Sequence, residues 1–207
     1  MGVRPQVFTN GLTMANLITV DIYKEVEKIT SNQNDFAISY YADSVSQLVK
    51  TYCNNSFVDF YSTDKIETFS INWPQYFVQL TESPVNSISG VQIRESIAEN
   101  YTDLTSTQYF LDTSTDSVYR SDGGSGYQNF PTGPGALKIS YRAGYAEVPT
   151  DLRLAIVDLI TYYLKDEYKE RQTLAGASIQ NKVSTSQRNN VAFPDHIKRV
   201  LDLYKNY

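Results

Sequence analysis

Apolar residues recur about every 3.6 positions in the first and last parts of the chain, which is the spacing of an amphipathic helix. The pattern predicts three main helices, at residues 20–29, 35–53 and 150–171. Thr19 and Thr150 are the predicted N-caps of the first and third helices, because a threonine hydroxyl accepts hydrogen bonds from first-turn amides. The predicted buried stripe of the second helix comprises Phe36, Tyr40, Val45, Leu48, Val49 and Tyr52.

The middle of the chain changes to a period of two, in which polar and apolar residues alternate as they do in half-buried strands. Proline and glycine residues separate the alternating runs, as turns require. The predicted strands span residues 66–71, 77–80, 85–93, 108–111, 118–120 and 137–141. We therefore predict an α+β fold: a small helical bundle of three main helices with an inserted, mostly antiparallel β-sheet at about residues 65–142.

The two ends of the chain are predicted to be segments appended to this core. Residues 1–16 are interpreted as an extended N-terminal arm, and residues 17–171 as the core. Residues 172–207 are interpreted as a flexible linker followed by a docking segment, which contains a short amphipathic helix at 195–204. This helix has two open interpretations: it binds a neighbouring protein, or it folds back on the core of its own chain.

Charge is distributed unevenly over the 207 residues. Residues 1–170 contain 12 Lys/Arg and 21 Asp/Glu, whereas residues 171–207 contain 6 and 2, and together they give the net charge of −5. The acidic body argues against a nucleic-acid-binding domain, since phosphate binding requires clustered Lys and Arg. The apolar runs are much shorter than the roughly 20 residues that span a bilayer, so no membrane association is expected.

The sequence offers few groups for catalysis. His196 is the only histidine and Cys53 the only cysteine, which excludes multi-histidine metal sites, internal disulfides and cysteine clusters. A Cys53–His196 pair requires two separate helices to meet, and Cys53 is expected to pack as a small hydrophobic residue. Asp112 and Asp116 resemble a fragment of a calcium loop but lack its other ligands. We predict no catalytic site, no metal and no cofactor.

The stretch at residues 137–171 has the pattern of a strand, a tight turn and a long helix, without a reactive group. Gly144 is predicted to allow a positive φ or a close backbone approach where the strand ends. Pro149 keeps its predecessor out of the α region and so sets where the helix begins. Tyr141 and Tyr145 are predicted to straddle the turn and pack against the second helix. We interpret these four residues as specifying the fold.

Aromatic content is the other unusual feature, with 17 Tyr, 9 Phe and one Trp. Tyrosine supplies a large, rigid contact area with a polar tip, which suits protein interfaces. It also suits half-buried strands, so the enrichment leaves both uses open. Trp73 beside Pro74 offers a surface on which a sugar could stack, but one aromatic residue does not make a site.

The order of the sequence motifs resembles one known family. Two helical segments, LITVDIYKEV and one that ends in YCNNSF, precede strands around VQLTESPVNSISGVQI, YFLD and VYR, and LKISYRAGYAEVPTDLRLAI follows them. This order, with the Tyr-Arg-Ala-Gly-Tyr turn at residues 141–145, is similar to that of the head–tail connector (adaptor) proteins of tailed bacteriophages. The resemblance covers about residues 17–171.

The resemblance implies a non-enzymatic structural subunit of the phage neck, assembled in the host cytoplasm and located in the virion. About twelve copies are expected to form a ring that matches the symmetry of the portal. The ring would bind the portal protein on one side and the next neck protein or a tail-terminator protein on the other. DNA would pass through its channel without sequence-specific binding, since an acidic wall repels the phosphates.

The resemblance also makes the C-terminal tail the candidate for docking onto the portal. Its candidate contact residues are Ile197, Lys198, Arg199, Val200, Leu201 and Tyr204. An alternative function is a carbohydrate- or host-binding module of a phage tail, suggested by Trp73, the tyrosine content and the short strands. A third is a small enzyme that uses Cys53 or His196.

Overall fold

The computed structural model describes residues 15–165, 171–174, 177–180 and 193–206. The helices are α1 (Val20–Glu27), α2 (Asp35–Cys53), α3 (Thr150–Leu164) and α4 (Asp195–Asp202). The strands are β1 (Lys65–Ile71), β2 (Phe77–Gln79), β3 (Val85–Ile93), β4 (Thr102–Asp103), β5 (Tyr109–Asp112), β6 (Ser117–Arg120), β7 (Gly133–Ala143), β8 (Arg171–Leu174) and β9 (Ala177–Gln180). The predicted α+β class is confirmed, with β1 to β7 inserted between α2 and α3.

The four helices pack around one continuous apolar core, called here the helical core. α2 and α3 contribute most of its buried side chains, and α4 closes it with Ile197 and Leu201. The Thr19 hydroxyl accepts a hydrogen bond from the Ile22 amide and caps α1, as predicted. Asn54 ends α2 in the left-handed conformation, which asparagine tolerates better than most residues.

The inserted strands form two antiparallel sheets that share a second core, called here the sheet core. The larger sheet has the order β1-β7-β3-β4, and the smaller has the order β2-β6-β5. Because side chains alternate along a strand, each sheet buries one face. Val78 and Val118 of the smaller sheet pack in the same apolar cluster as Val91, Leu137 and Ile139 of the larger sheet. The outer face of the smaller sheet is therefore left to form a surface.

Most predicted boundaries lie within a few residues of the observed ones, and the end of the third helix is the exception. α3 ends at Leu164, whereas the prediction continues to Arg171, which instead begins β8. Lys165 is the C-cap, and its amide donates to the Thr161 carbonyl (2.9 Å), while residues 166–170 lie outside the described residues. The N-cap of α3 is Pro149, so Thr150 is its first residue and not the predicted cap.

The predicted appended segments are described in part. Strands β8 and β9 pair in antiparallel orientation where the sequence predicts a flexible linker. Threonine and isoleucine in these runs favour extended backbone, which the polar composition of the segment obscures. Residues 181–192 of that linker and residues 1–14 of the predicted arm lie outside the described residues.

The N-terminal half of α2 buries a different stripe from the predicted one. Phe36 is 87% exposed and Tyr40 is also exposed, whereas Ile38, Ala42 and Val45 are buried. Both sets repeat at helical spacing, so the periodicity alone does not choose between them. The prediction for Phe36 and Tyr40 is wrong because it assigned the largest side chains to the core.

Candidate interaction surfaces

A tight turn after β7 joins the sheet core to the helical core, and Gly144 lies at its centre. Gly144 has a φ of +95°, and a Cβ atom there would lie 1.9 Å from the carbonyl oxygen of Phe57. The Gly144 amide donates to the Pro84 carbonyl (2.8 Å), and the Tyr145 amide donates to the Phe57 carbonyl (2.7 Å). Three backbone segments therefore meet so closely that glycine alone fits without displacement.

The two turn tyrosines lie in different cores. Tyr141 is fully buried in the sheet core, where its hydroxyl accepts a hydrogen bond from the Glu82 amide (3.3 Å). Burial and the nearby Glu67 carboxylate raise the pKa of Tyr141. Tyr145 packs on the helical core and meets the Tyr204 ring edge-on, with centroids 6.2 Å apart. Tyr141 thus belongs to the sheet core, not to the predicted contact with α2, because the alternation of β7 turns it inward.

A polar network beside this turn links the end of α2 to the larger sheet. The buried Glu82 carboxylate accepts hydrogen bonds from the Ser56 amide and hydroxyl (both 2.8 Å) and from Lys65 Nζ (2.9 Å). Lys65 also pairs with Glu67 at 2.8 Å. Burial lowers the pKa of Lys65, but its hydrogen bonds to the two carboxylates outweigh burial and raise the pKa. These charged groups satisfy one another, so the network stabilises the fold.

The amphipathic C-terminal helix folds back on the core of its own chain, the second of its two interpretations. Ile197 and Leu201 are buried in the helical core, so these two candidate docking residues are not available to a partner. The other four candidates are partly or fully exposed: Lys198, Arg199, Val200 and Tyr204. Leu203, which was not a candidate, is 77% exposed. A partner of this helix would therefore contact its charged face.

Asn206, which follows α4, bonds the C-terminal segment to the end of α2 and to the loop after β2. The Asn206 amide donates to the Cys53 carbonyl at the end of α2 (2.8 Å). Its side-chain amide donates to the carbonyls of Asn54 (3.4 Å) and Thr81 (3.2 Å). Since Thr81 follows β2, the C-terminal segment bridges the helical bundle and the smaller sheet.

An aromatic patch lies on the outer face of the smaller sheet. It consists of Tyr76, Phe77, Phe110, Tyr119 and Tyr127. Phe77 and Phe110 are the cross-strand partners of Tyr119, with ring centroids 5.5 and 6.4 Å from it. Tyr127 adds contacts to Tyr76 (5.0 Å) and Tyr119 (6.1 Å). Phe110 is 62% exposed and Tyr127 is 70% exposed, so the patch presents a contiguous aromatic surface to solvent.

The composition indicates the aromatic enrichment, but the sequence alone does not predict the patch. The members come from three strands, from the position before β2 and from a loop after β6, and the strand order β2-β6-β5 brings them together. The alternation along β2 and β5 predicts that Phe77 and Phe110 lie on the outer face. It does not predict that β6 lies between these two strands. Trp73 is also exposed, as a stacking platform requires, yet a single ring does not define a sugar site.

The candidate chemical groups of the sequence, Cys53, His196 and Asp112, lie in different environments. Cys53 is buried, and burial raises the pKa of its thiol to about 12, so the thiol stays protonated at neutral pH. Its Sγ donates to the Leu201 carbonyl (3.5 Å), while His196 is exposed. Asp112 accepts hydrogen bonds from Ser114 within its own turn.

Two further kinds of feature are absent from the described part of the chain. No three His, Cys, Asp or Glu side chains within these ranges are grouped as a metal ion would require. None of the helices described has the length and apolar character needed to cross a membrane.

Comparisons with known proteins identify similar sequences and folds. The model of a family described as head completion protein matches residues 16–207. No curated protein matches the chain. Several solved structures are similar in fold. A chain in the neck of a native gene transfer agent particle, computed with C12 symmetry, has a TM-score of 0.60 and 14% identity over 96% of this chain and 93% of its own.

The second structure is a chain in the neck of an empty particle of this kind, computed with C6 symmetry. It has a TM-score of 0.58 and 16% identity over 92% of this chain and 90% of its own. A chain from the virion of the native particle gives the same TM-score and identity. At these identities the likeness establishes a shared fold along nearly the whole chain.

Proposed function

The chain belongs to the head completion protein family, and from this we propose that it is a structural subunit of a phage neck, located in the virion. The observation that carries the proposal is the extent of the family match, because residues 16–207 include both cores and the C-terminal segment. The fold supports it, since chains of similar fold occupy the neck of gene transfer agent particles.

In this function the chain forms a ring with further copies of itself. The similar chains come from necks computed with C6 and C12 symmetry, which supports a closed cyclic arrangement here. A ring of about twelve copies would match a portal of the same symmetry. The ring would join the portal protein to the next neck protein or to a tail-terminator protein.

The subunit acts without catalysis and leaves DNA unbound. The Cys53 thiol, which is buried, protonated and bonded to the Leu201 carbonyl, supports a structural role. The net negative charge of residues 1–170 supports a channel wall that repels DNA and allows it to slide. Assembly would take place in the host cytoplasm.

Docking onto the portal would use the charged face of α4. Ile197 and Leu201 anchor the helix to its own core, which leaves Arg199 and the exposed Leu203 for a partner. Arg199→Glu is expected to weaken portal binding while the subunit keeps its fold, because Arg199 is exposed. Unchanged binding by Arg199→Glu, measured with purified portal protein, would contradict this part of the proposal.

The ring is tested by measuring the mass of the purified chain alone and with a portal protein. We expect a complex with about twelve copies of the chain per portal ring, visible as a ring in electron microscopy. Failure of the folded chain to bind any portal under conditions in which a known neck protein binds its own portal would contradict the proposed function.

A further inference from the structure

The aromatic patch has no role in the fold that would explain its exposure. The inner face of the same sheet already packs in the sheet core through Val78 and Val118. On the outer face, five aromatic rings contact one another, and Phe110 and Tyr127 remain mostly exposed. Contiguous apolar surfaces of this kind mark interaction sites on soluble proteins.

The charges around the patch limit the kind of partner. The segments that carry it, residues 75–79 and 109–130, contain three aspartates, Asp112, Asp116 and Asp122, and one arginine. That arginine, Arg120, is buried beneath the sheet, where its guanidinium lies over the Phe130 ring at 6.0 Å. Asp122 is exposed and Asp112 and Asp116 are partly exposed, whereas Arg120 is buried, so this surface does not suit DNA or RNA. It suits an apolar segment that carries a positive charge.

Residues 1–14 have this chemistry. They contain six apolar or proline side chains beyond the initial methionine, at Val3, Pro5, Val7, Phe8, Leu12 and Met14. Their one charged side chain is Arg4, which suits both aspartate and the face of a tyrosine ring. Proline-containing extended segments bind well to surfaces lined by aromatic rings, because proline already restricts the backbone.

Residues 1–14 join the core at Ala15, whose backbone is held in place. The Ala15 amide donates to Asp59 Oδ1 (2.9 Å), and its carbonyl accepts a hydrogen bond from Lys50 Nζ (2.7 Å). Lys50 and Asp59 form a buried ion pair at 2.7 Å, so the anchor is rigid. Fourteen residues in extended conformation reach about 45 Å, enough to leave one subunit and cross to the next.

From these observations we infer that residues 1–14 of one copy bind the aromatic patch of a neighbouring copy in the ring. The inference rests on the proposed function, because a cyclic ring requires two different surfaces on each subunit. One surface contacts the preceding subunit and the other contacts the following one. The arm and the patch form such a pair. Their contact would link each subunit to the next around the ring.

Disulfide trapping between two differently substituted copies tests this directly. One copy carries Val7→Cys and the other carries Tyr127→Cys, and the two are mixed under the conditions that form rings. The native Cys53 does not compete, since it is buried and its thiol pKa is raised to about 12. We expect a disulfide-linked dimer in the mixture. A matched control replaces Tyr127→Cys with Ile66→Cys, an exposed position on β1, and is expected to give no dimer.

A peptide of residues 1–14 provides a second measurement that does not depend on ring formation. We expect it to bind a chain that lacks residues 2–14, and binding to weaken at least about tenfold in Phe110→Ser/Tyr127→Ser. Rings without a trapped dimer, or a peptide that fails to bind, would overturn the inference and leave the proposed function intact. A wild-type chain that binds a portal without forming rings, or never binds one, would overturn the proposed function itself.

Discussion

The tyrosines at the junction between the two cores differ from those in the aromatic patch. At the junction, the hydroxyls of Tyr141 and Tyr204 each bond to a protein group, an amide in one case and a carboxylate in the other. In the aromatic patch, tyrosine rings contact other aromatic rings and their outer faces meet solvent. Tyrosine therefore stabilises the fold at the junction and forms an exposed surface in the aromatic patch. The partner of the polar tip distinguishes the two uses, and composition does not.

The largest effect on the junction is expected from Gly144→Ala. The added Cβ would lie 1.9 Å from the Phe57 carbonyl oxygen, and the positive φ of this residue is itself unfavourable for alanine. We expect a loss of about 3 to 5 kcal/mol in the free energy of unfolding, or failure to fold, measured by chemical denaturation. Gly90→Ala is the control, because a Cβ there meets no atom within 4 Å, and it should cost less than about 1 kcal/mol.

Leu201→Ala is the next largest disruption, since it removes a fully buried side chain of α4 from the helical core. We expect a loss of about 3 kcal/mol in the free energy of unfolding. Leu203→Ala, two residues along and 77% exposed, should change stability by less than about 0.5 kcal/mol. Equal stabilities of the two variants would show that α4 does not rest on its own core in solution.

A smaller effect is expected when the junction loses a hydroxyl. Tyr204 donates to the Asp151 carboxylate (2.7 Å), and this hydrogen bond lowers the pKa of Asp151 from its usual 3.8. Because the folded pKa lies below the unfolded one, this stabilisation is present above pH 3.8 and is lost as pH falls through the folded pKa. Tyr204→Phe should cost about 0.5 kcal/mol near neutral pH, after allowance for solvent screening.

Denaturation of Tyr204→Phe and the parent chain at neutral and acid pH measures this dependence. The difference between them should shrink at acid pH. Tyr127→Phe in the aromatic patch serves as the comparison, and its difference from the parent is expected to stay near zero at both pH values. A pH-independent loss in Tyr204→Phe would contradict the assigned hydrogen bond.

The smallest effect on stability is expected in the aromatic patch itself. Phe110→Ser/Tyr127→Ser replaces two mostly exposed rings, so the free energy of unfolding should change by less than about 1 kcal/mol. A loss as large as that of Leu201→Ala would mean that the patch supports the fold, and the contrast between the two groups of tyrosines would disappear. Chemical denaturation of the double variant decides between these results.

The helices and strands could be predicted from the sequence because short-range patterns of residues determine where they begin and end. Alternation bounded by turn residues located β3 at residues 85–93, and an asparagine pair located the end of α2. The choice of the buried face of α2 failed at Phe36, since two apolar stripes compete on that helix and only the packing of α3 and α1 selects one. The aromatic patch was beyond prediction for a related reason. Phe77 and Tyr119 are neighbours because β2 pairs with β6, although 42 positions separate residues 77 and 119 in the chain.

Both ends of the described core are tied to the last turn of α2. Lys50 Nζ donates to the Ala15 carbonyl, and the Asn206 amide donates to the Cys53 carbonyl. Residues from both ends of the described core therefore bond to two residues of α2 that are three positions apart. During synthesis on the ribosome, the helical core therefore stays open until α4 and Asn206 have emerged. A prematurely terminated product would lack this closure and would be exposed to cellular proteases before it could enter a ring. Purified chains that stop at residue 192 should accordingly be cleaved by protease faster than chains that extend to residue 207.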